Sequence, residues 1–305
     1  RERSFLQRLD AFLDAHGLTP VGKRMAYAYV QTMETDKENT FARLQPWLLN
    51  QVNGSRRLPD GMSPWQKGCP GLIPGLRSLP FWEAPALRAE SLPWVAKLEG
   101  SFEAIRAELL ALRGKNAFRP YRAPSSANAT AAQDGIGSIS HDAGEWNVYY
   151  LFLHNMDFAE NRAHCPETCA AIEAVGSQYQ HAFFSALAPG THITKHHGPT
   201  NKKLRCHLPL VVPEGQCRLR VGDETRIVEE GKCMIFDDSF EHEAWNDDSK
   251  TTRIVLILDV WHPDLKKKEI KFLDYLQQAA LRAEKKMVKA RDDRARDDRA
   301  RSTDV

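Results

Sequence analysis

Leu204-Arg205-Cys206-His207-Leu208-Pro209-Leu210 and, further along, Arg253-Ile254-Val255-Leu256-Ile257-Leu258-Asp259-Val260 decide the fold. In the first, Leu204, Cys206, Leu208 and Leu210 alternate with Arg205, His207 and Pro209, so Arg205 and His207 share one face of a strand. In the second, Ile254, Leu256, Leu258 and Val260 alternate with Arg253, Val255, Ile257 and Asp259. Between them, Cys217, Leu219 and Val221 lead into Gly222-Asp223, a hairpin signal, and Ile227 and Val228 continue on the return strand. Gly231 opens a further strand, Cys233 to Phe236. From Thr191 to Val260 the pattern is therefore all β, and short antiparallel strands at this spacing predict a double-stranded β-helix, a cupin-like jelly roll.

Working outward, Trp146 to Leu153 reads as another strand, and residues 166–188 include a short helix. Trp94, Val95, Leu98, Phe102, Ile105, Leu109 and Leu112 step by three and four, which predicts an amphipathic helix over a sheet face. Pro124 to Ser140 is small and polar, a loop expected near a cleft mouth. Residues 4–47 read as helical, with Phe5, Leu6, Leu9, Phe12 and Leu13 on one face and breaks at Gly17 and Pro20. Residues 52–90 are rich in Gly and Pro and read as irregular structure, packed down by Trp65, Leu72, Ile73, Leu76, Phe81 and Trp82. Three parts follow: a helical and irregular N-terminal extension over 1–69, the jelly roll over 70–265 and a charged tail over 266–305. In the tail, Phe272, Leu273, Leu276 and Ala280 suit a docked helix. The duplicated Ala290-Arg291-Asp292-Asp293-Arg294 and Ala295-Arg296-Asp297-Asp298-Arg299 has no apolar face and predicts a solvated helix or disorder.

Composition narrows the function. With 42% apolar and 27% charged residues and a formal net charge of +2, the chain has a globular core and no general affinity for nucleic acid. No run approaches the roughly 18–20 apolar residues that span a bilayer. The first residues, Arg1-Glu2-Arg3-Ser4, hold neither an initiating Met nor a signal-peptide core, so a fragment or processed product is expected, with any upstream anchor outside this sequence. The six cysteines have no zinc-ribbon spacing; Cys165 and Cys169, the only close pair, read either as a disulfide or as two free thiols.

The chemistry-bearing residues are His196-His197-Gly198, then His242, then Arg253 inside an apolar strand. Proximal His, distal His and trailing Arg is the layout of a non-haem Fe(II) oxygenase that uses 2-oxoglutarate and O2. Iron on such a site keeps few protein ligands because cosubstrate, dioxygen and substrate all need room. A charged Arg253 amid Ile254, Val255, Leu256 and Ile257 requires an anion, either an internal carboxylate or the distal carboxylate of 2-oxoglutarate. Glycine at 198 stands where an iron-binding carboxylate is expected.

Gly190-Thr191-His192, His197-Gly198-Pro199-Thr200-Asn201, Leu204-Arg205-Cys206-His207-Leu208, Glu230-Gly231-Lys232, Phe236-Asp237-Asp238-Ser239-Phe240-Glu241-His242-Glu243 and Asp259-Val260-Trp261-His262-Pro263 closely resemble the aspartyl/asparaginyl β-hydroxylase family. Pro74-Gly75-Leu76 and Phe81-Trp82 look like that family's more N-terminal part, so the resemblance covers roughly residues 70–265. It implies Fe(II) held by two histidines alone, His196 and His242, with Gly198 in the vacated carboxylate position. It further implies that Ser185, Arg205, His207 and Arg253 bind 2-oxoglutarate, with Arg253 and Ser185 on the distal carboxylate and Arg205 and His207 toward the metal-side one. His207 as a third ligand, and His192 or His197 in place of His196, stay open as alternatives.

The implied reaction hydroxylates the β-carbon of Asp or Asn in a protein or peptide. Relatives that act on lipid acyl chains or small amino-acid derivatives define a second reading, and a non-catalytic jelly-roll binding protein a third. Substrate contacts are expected from Trp146, Tyr149, Tyr150 and the 124–140 loop. Asp237 and Asp238 are expected to shape the turn before His242. Without a protein carboxylate, iron with dianionic 2-oxoglutarate is formally neutral, which suits an acidic substrate.

Overall fold

The computed structural model describes residues 4–55, 57–112, 118–120, 141–154 and 156–282. It divides into two compact units, Leu58–Leu265 and a second made of Arg1–Arg57 with Lys266–Val305.

The larger unit is a jelly roll of two antiparallel sheets. The six-stranded sheet runs β1 (Arg119–Pro120), β3 (Trp146–Leu153), β4 (Gln178–Leu187), β11 (Arg253–Trp261), β6 (Lys203–Val211), β9 (Met234–Phe236). The five-stranded sheet runs β2 (His141–Ala143), β5 (Thr191–His196), β10 (His242–Asn246), β7 (Cys217–Val221), β8 (Glu224–Ile227). Val148, Phe183, Leu187, Ile193, Leu219, Val221, Ala244, Val255 and Ile257 fill the space between the sheets. The two-residue period thus turns Arg253 and Asp259 inward with Val255 and Ile257. The Gly222-Asp223 turn joins β7 to β8, with Val221 opposite Glu224; Gly222 has φ +62°, a conformation glycine adopts without a Cβ penalty.

The opposite face of the six-stranded sheet presents Tyr149, Leu151, Phe184, Leu204, Cys206, Leu208, Leu256 and Leu258 to a layer of helices. The helix expected over 94–112 is two, α5 (Val95–Gly100) and α6 (Phe102–Ala111), divided at Gly100-Ser101, where propensity is weakest. Both bury their apolar face on the sheet through Val95, Leu98, Ile105 and Leu109. Helix α8 (Pro166–Glu173) begins with Pro166, and the Glu108 carboxylate accepts from the N–H groups of Glu167 and Thr168, each at 2.8 Å. An anion at that end satisfies orphan donors and complements the helix dipole. Cys165 and Cys169 are buried thiols and form no disulfide with each other. Tyr149, expected near substrate, faces this helical layer, its hydroxyl donating to the Asn161 carbonyl at 3.3 Å.

Strand β4 was hidden in a stretch read only as containing a short helix. From His181 to Leu187 every residue is buried, so the strand is covered on both faces and shows no polar alternation.

In the smaller unit, Ser4 and Gln7 form a capping box at the start of α1 (Phe5–Ala15), and Thr19 caps α2 (Pro20–Glu34), whose first residue is proline. α3 (Leu44–Val52) and a helix over residues 267–282 complete it. Leu9, Leu13, Val30, Met33, Leu44, Phe272, Leu273 and Leu276 are its buried apolar residues. The duplicated charged repeat lies outside the described residues, as does the 124–140 loop. No helix among the described residues is long and apolar enough to cross a membrane.

Candidate functional site

His196 ends β5 and His242 begins β10, and the two are register partners across the five-stranded sheet. Their ring centroids lie 4.0 Å apart with planes at 55°. His196 Nδ1 donates to the Thr194 carbonyl at 2.7 Å and His242 Nδ1 to the Phe240 carbonyl at 2.8 Å. A carbonyl only accepts, so the proton sits on each Nδ1 and each Nε2 carries a lone pair. Burial keeps both rings neutral: the His196 pKa is pushed down to about 4 and that of His242 well below its usual value. Two neutral imidazoles, each fixed by a backbone carbonyl behind it, are suited to hold a divalent metal.

The other histidines stand apart from this pair. His197 turns to the Trp65 carbonyl at 3.2 Å. His192 stacks on Trp245 with centroids 4.9 Å apart and its Nε2 is 3.0 Å from Glu243 Oε2. His207 meets Phe236 edge-on at 5.0 Å, and the same Phe236 ring lies 5.6 Å from His242. Among the described residues no set of three or more His, Cys, Asp or Glu is placed to hold a metal.

The position vacated by Gly198 is filled from another strand connection. A Cβ on residue 198 would lie 2.6 Å from Asp238 Cγ. Asp237 does shape the turn, accepting from the Ser239 N–H at 2.9 Å, but the Asp238 side chain does not. Lys203 Nζ donates to Asp238 Oδ2 at 2.6 Å, while Asp238 Oδ1 is buried without a hydrogen-bond partner. Lys203 also lies 3.1 Å from Asp259 Oδ2. Arg205 holds Asp259 in a two-pronged pair, Nε to Oδ1 at 2.8 Å and Nη2 to Oδ2 at 2.9 Å, and its Nη1 is 3.4 Å from Asp238. His181 Nδ1 closes the group, 2.9 Å from Asp259 Oδ2. Burial works to raise Asp259, but Arg205 and Lys203 outweigh it and hold the carboxyl well below the usual range. Two cations and two carboxylates thus neutralise one another beside the histidine pair. In the sequence Lys203 and His181 carry no distinguishing signal and Asp238 reads only as a turn residue, although Asp259 inside a run of aliphatics carries the same signal as Arg253.

Arg253 is 2% exposed, and its Nε and Nη1 have no hydrogen-bond partner among the described residues. Burial pushes its pKa down to about 10, and no carboxylate among the described residues offsets it. An unpaired buried guanidinium costs several kcal/mol, so an anion belongs there. Ser185 stands opposite Val255, on the same inward face as Arg253. Trp146 Nε1 donates to Ser185 Oγ at 2.9 Å, leaving the hydroxyl hydrogen to donate elsewhere. His207 lies opposite Ile257 with its Nε2 also buried and unpartnered; burial, then Arg253 and Arg205, hold it neutral. One inner face therefore offers a free guanidinium and hydroxyl at one end and a neutral imidazole further along. A dianionic keto acid and a divalent metal at the histidine pair fit this donor set.

The sequence matches the family described as aspartyl/asparaginyl beta-hydroxylase over residues 99–263. It is 35% identical over 209 residues to the aspartyl/asparaginyl beta-hydroxylase of Mus musculus, covering 67% of this chain and 26% of that protein. It is also 35% identical over 181 residues to the ornithine lipid ester-linked acyl 2-hydroxylase of Rhizobium tropici, covering 59% of this chain and 61% of that protein. The chain thus spans less than two thirds of either relative. Among solved structures, a Pseudomonas putida prolyl-4-hydroxylase aligns with a TM-score of 0.33 and 15% identity over 54% of this chain and 87% of that one.

Proposed function

Because the chain belongs to the aspartyl/asparaginyl β-hydroxylase family, we propose that it is an Fe(II)- and 2-oxoglutarate-dependent dioxygenase that hydroxylates the β-carbon of aspartyl or asparaginyl residues in a protein or peptide. The observation that carries this reading is Arg253, a buried cation with two unpartnered nitrogens beside the Ser185 hydroxyl. His196 and His242 hold the metal through Nε2, their Nδ1 protons fixed on the carbonyls of Thr194 and Phe240. Arg253 and Ser185 take the distal carboxylate of 2-oxoglutarate, and charge-assisted hydrogen bonds make that grip strong. His207 Nε2 and the Arg205 edge line the route to the metal-side carboxylate. Bound iron, 2-oxoglutarate and O2 supply the oxidising chemistry, with succinate and CO2 as coproducts.

Ordering matters as much as binding. Trp146 fixes the Ser185 oxygen, and Phe236 packs against both His207 and His242, so the cosubstrate end and the metal end share one rigid wall. The test is succinate formation that requires Fe(II) and 2-oxoglutarate and matches one oxygen gained by a peptide substrate in a mass spectrum. A second reading keeps the residues and changes the substrate to an acyl lipid, motivated by the equal identity to the Rhizobium tropici hydroxylase. The same assay run with lipids in place of peptides separates the two. No 2-oxoglutarate binding under any condition would leave only a binding protein.

A further inference from the structure

Beyond the metal pair and the cosubstrate residues, the inner sheet face holds, among the described residues, a further buried polar atom without a partner: His181 Nε2. His181 lies on β4 at the level where β11 presents Asp259 and β6 presents Arg205, so the three form a row across neighbouring strands. That row runs toward the metal pair, because Arg205 Nη1 lies 3.4 Å from Asp238, which abuts Gly198 just after His196 and His197. The ring is only 6% exposed and is wedged between Phe183, with centroids 5.0 Å apart, and the stacked His154 ring at 6.0 Å.

Its hydrogen-bonding sense is fixed by its neighbour. Asp259 is ionised and accepts, so His181 Nδ1 carries the proton, and burial keeps the ring neutral. Nε2 is then a lone-pair acceptor facing no donor. Leaving such an atom buried and unmet is unfavourable, and a site built this way discriminates strongly for a ligand group that completes it. The adjacent Lys203 does not invite a further anion, since Asp238 and Asp259 already neutralise it. A substrate carboxylate would confront the imidazole lone pair and the ionised Asp259. A carboxamide brings an N–H to the same place.

We propose that His181 is a specificity residue whose Nε2 accepts a hydrogen bond from the substrate, so that the chain prefers an asparaginyl over an aspartyl target. This rests on the dioxygenase reading above and narrows it.

The experiment compares two peptides identical except for Asn or Asp at the target position, assayed on wild type, H181F and H181Q. Wild type is expected to show a KM roughly tenfold lower for the asparaginyl peptide, the factor one such hydrogen bond supplies. H181F keeps an aromatic ring in the stack but has no acceptor, and should collapse the ratio mainly through KM. H181Q, which still offers a carbonyl oxygen, should restore part of it. A readout independent of turnover is the ¹⁵N resonance of the His181 ring. It should report a protonated Nδ1 and bare Nε2 in the free protein, and the Nε2 signal should move on titration with the asparaginyl peptide alone. Equal or better use of the aspartyl peptide, a ratio that survives H181F, or a protonated Nε2 would overturn the assignment. Hydroxylation of a lipid and of neither peptide would overturn it while leaving the dioxygenase reading intact. Failure to bind 2-oxoglutarate at all would remove both.

Discussion

The Asp238 carboxyl group stands against the α-carbon of Gly198: a Cβ there would meet Cγ at 2.6 Å and both oxygens at 2.7 Å, and the Gly198 N–H donates to the Asp238 carbonyl. Glycine at 198 therefore does more than omit a ligand. It makes room for a carboxylate from elsewhere in the chain, one already neutralised by Lys203. A glycine at 198 thus does not leave the site without a protein acid, because Asp238 supplies one.

Gly198→Ala should accordingly destabilise the metal-free protein by about 1–3 kcal/mol, the usual penalty for overpacking a rigid site. Asp238 is buried and tied to Lys203, so it cannot simply swing aside. Gly198→Asp should behave likewise, but in an Asp238→Ala background the clash is relieved and much of the stability should return. Thermal unfolding of the four proteins without metal checks this. A Gly198→Ala protein as stable as wild type would show that Asp238 yields freely.

Arg253 gives the opposite sign. Without cosubstrate it is an uncompensated buried charge, so Arg253→Met, similar in length and apolar, should leave the ligand-free melting temperature unchanged or raise it. Wild type should be stabilised by about 2.7 kcal/mol when 2-oxoglutarate stands at a hundred times its Kd, and the variant by none. A destabilised Arg253→Met that still responds to 2-oxoglutarate would mean the guanidinium serves the fold instead.

Trp146 acts through Ser185. Trp146→Phe removes one neutral hydrogen bond and frees the serine hydroxyl to rotate, which should weaken 2-oxoglutarate binding by roughly 2–10-fold. Adding Ser185→Ala to that variant should cost little more, since both changes remove the same oriented donor. Calorimetric titration of the two single variants and the double variant measures the coupling; full additivity would show that Trp146 only fills space.

Much of this was legible before any coordinates. Alternation placed Arg205 and His207 on one face, and the strand over Trp146–Leu153 and the Gly222-Asp223 hairpin came directly from period and turn chemistry. What stayed hidden has a common cause. Strand β4 is buried on both faces, so period-two reasoning found no polar side to follow. Lys203, Asp238, Asp259 and His181 are far apart in sequence and acquire meaning only because β4, β11 and β6 lie side by side and the β9–β10 connection reaches over them. Charges that cancel locally leave no trace in composition.

The pH dependence of stability should follow from groups that titrate abnormally and pull in opposite directions over the same acidic window. Burial pushes Asp237 up to about 7 from 3.8, so between those values the folded chain holds a proton the unfolded chain has lost, and stability falls as pH rises through that window. Burial pushes His154 down to about 4 and lowers His181 and His207, so the unfolded chain binds more protons below about 6.5 and stability falls as pH drops from there. The two effects oppose each other in that window, and wild type should lose stability as pH drops below about 6.5 because three histidines outweigh the single Asp237. Asp237→Asn cannot ionise and can still accept from the Ser239 N–H, so it should lose the Asp237 share of the change between pH 4 and 7 and stand more stable relative to wild type at pH 8 than at pH 4. Urea unfolding of both proteins from pH 4 to 9 tests this, and parallel curves across the whole range would mean that Asp237 is ionised in the folded state throughout.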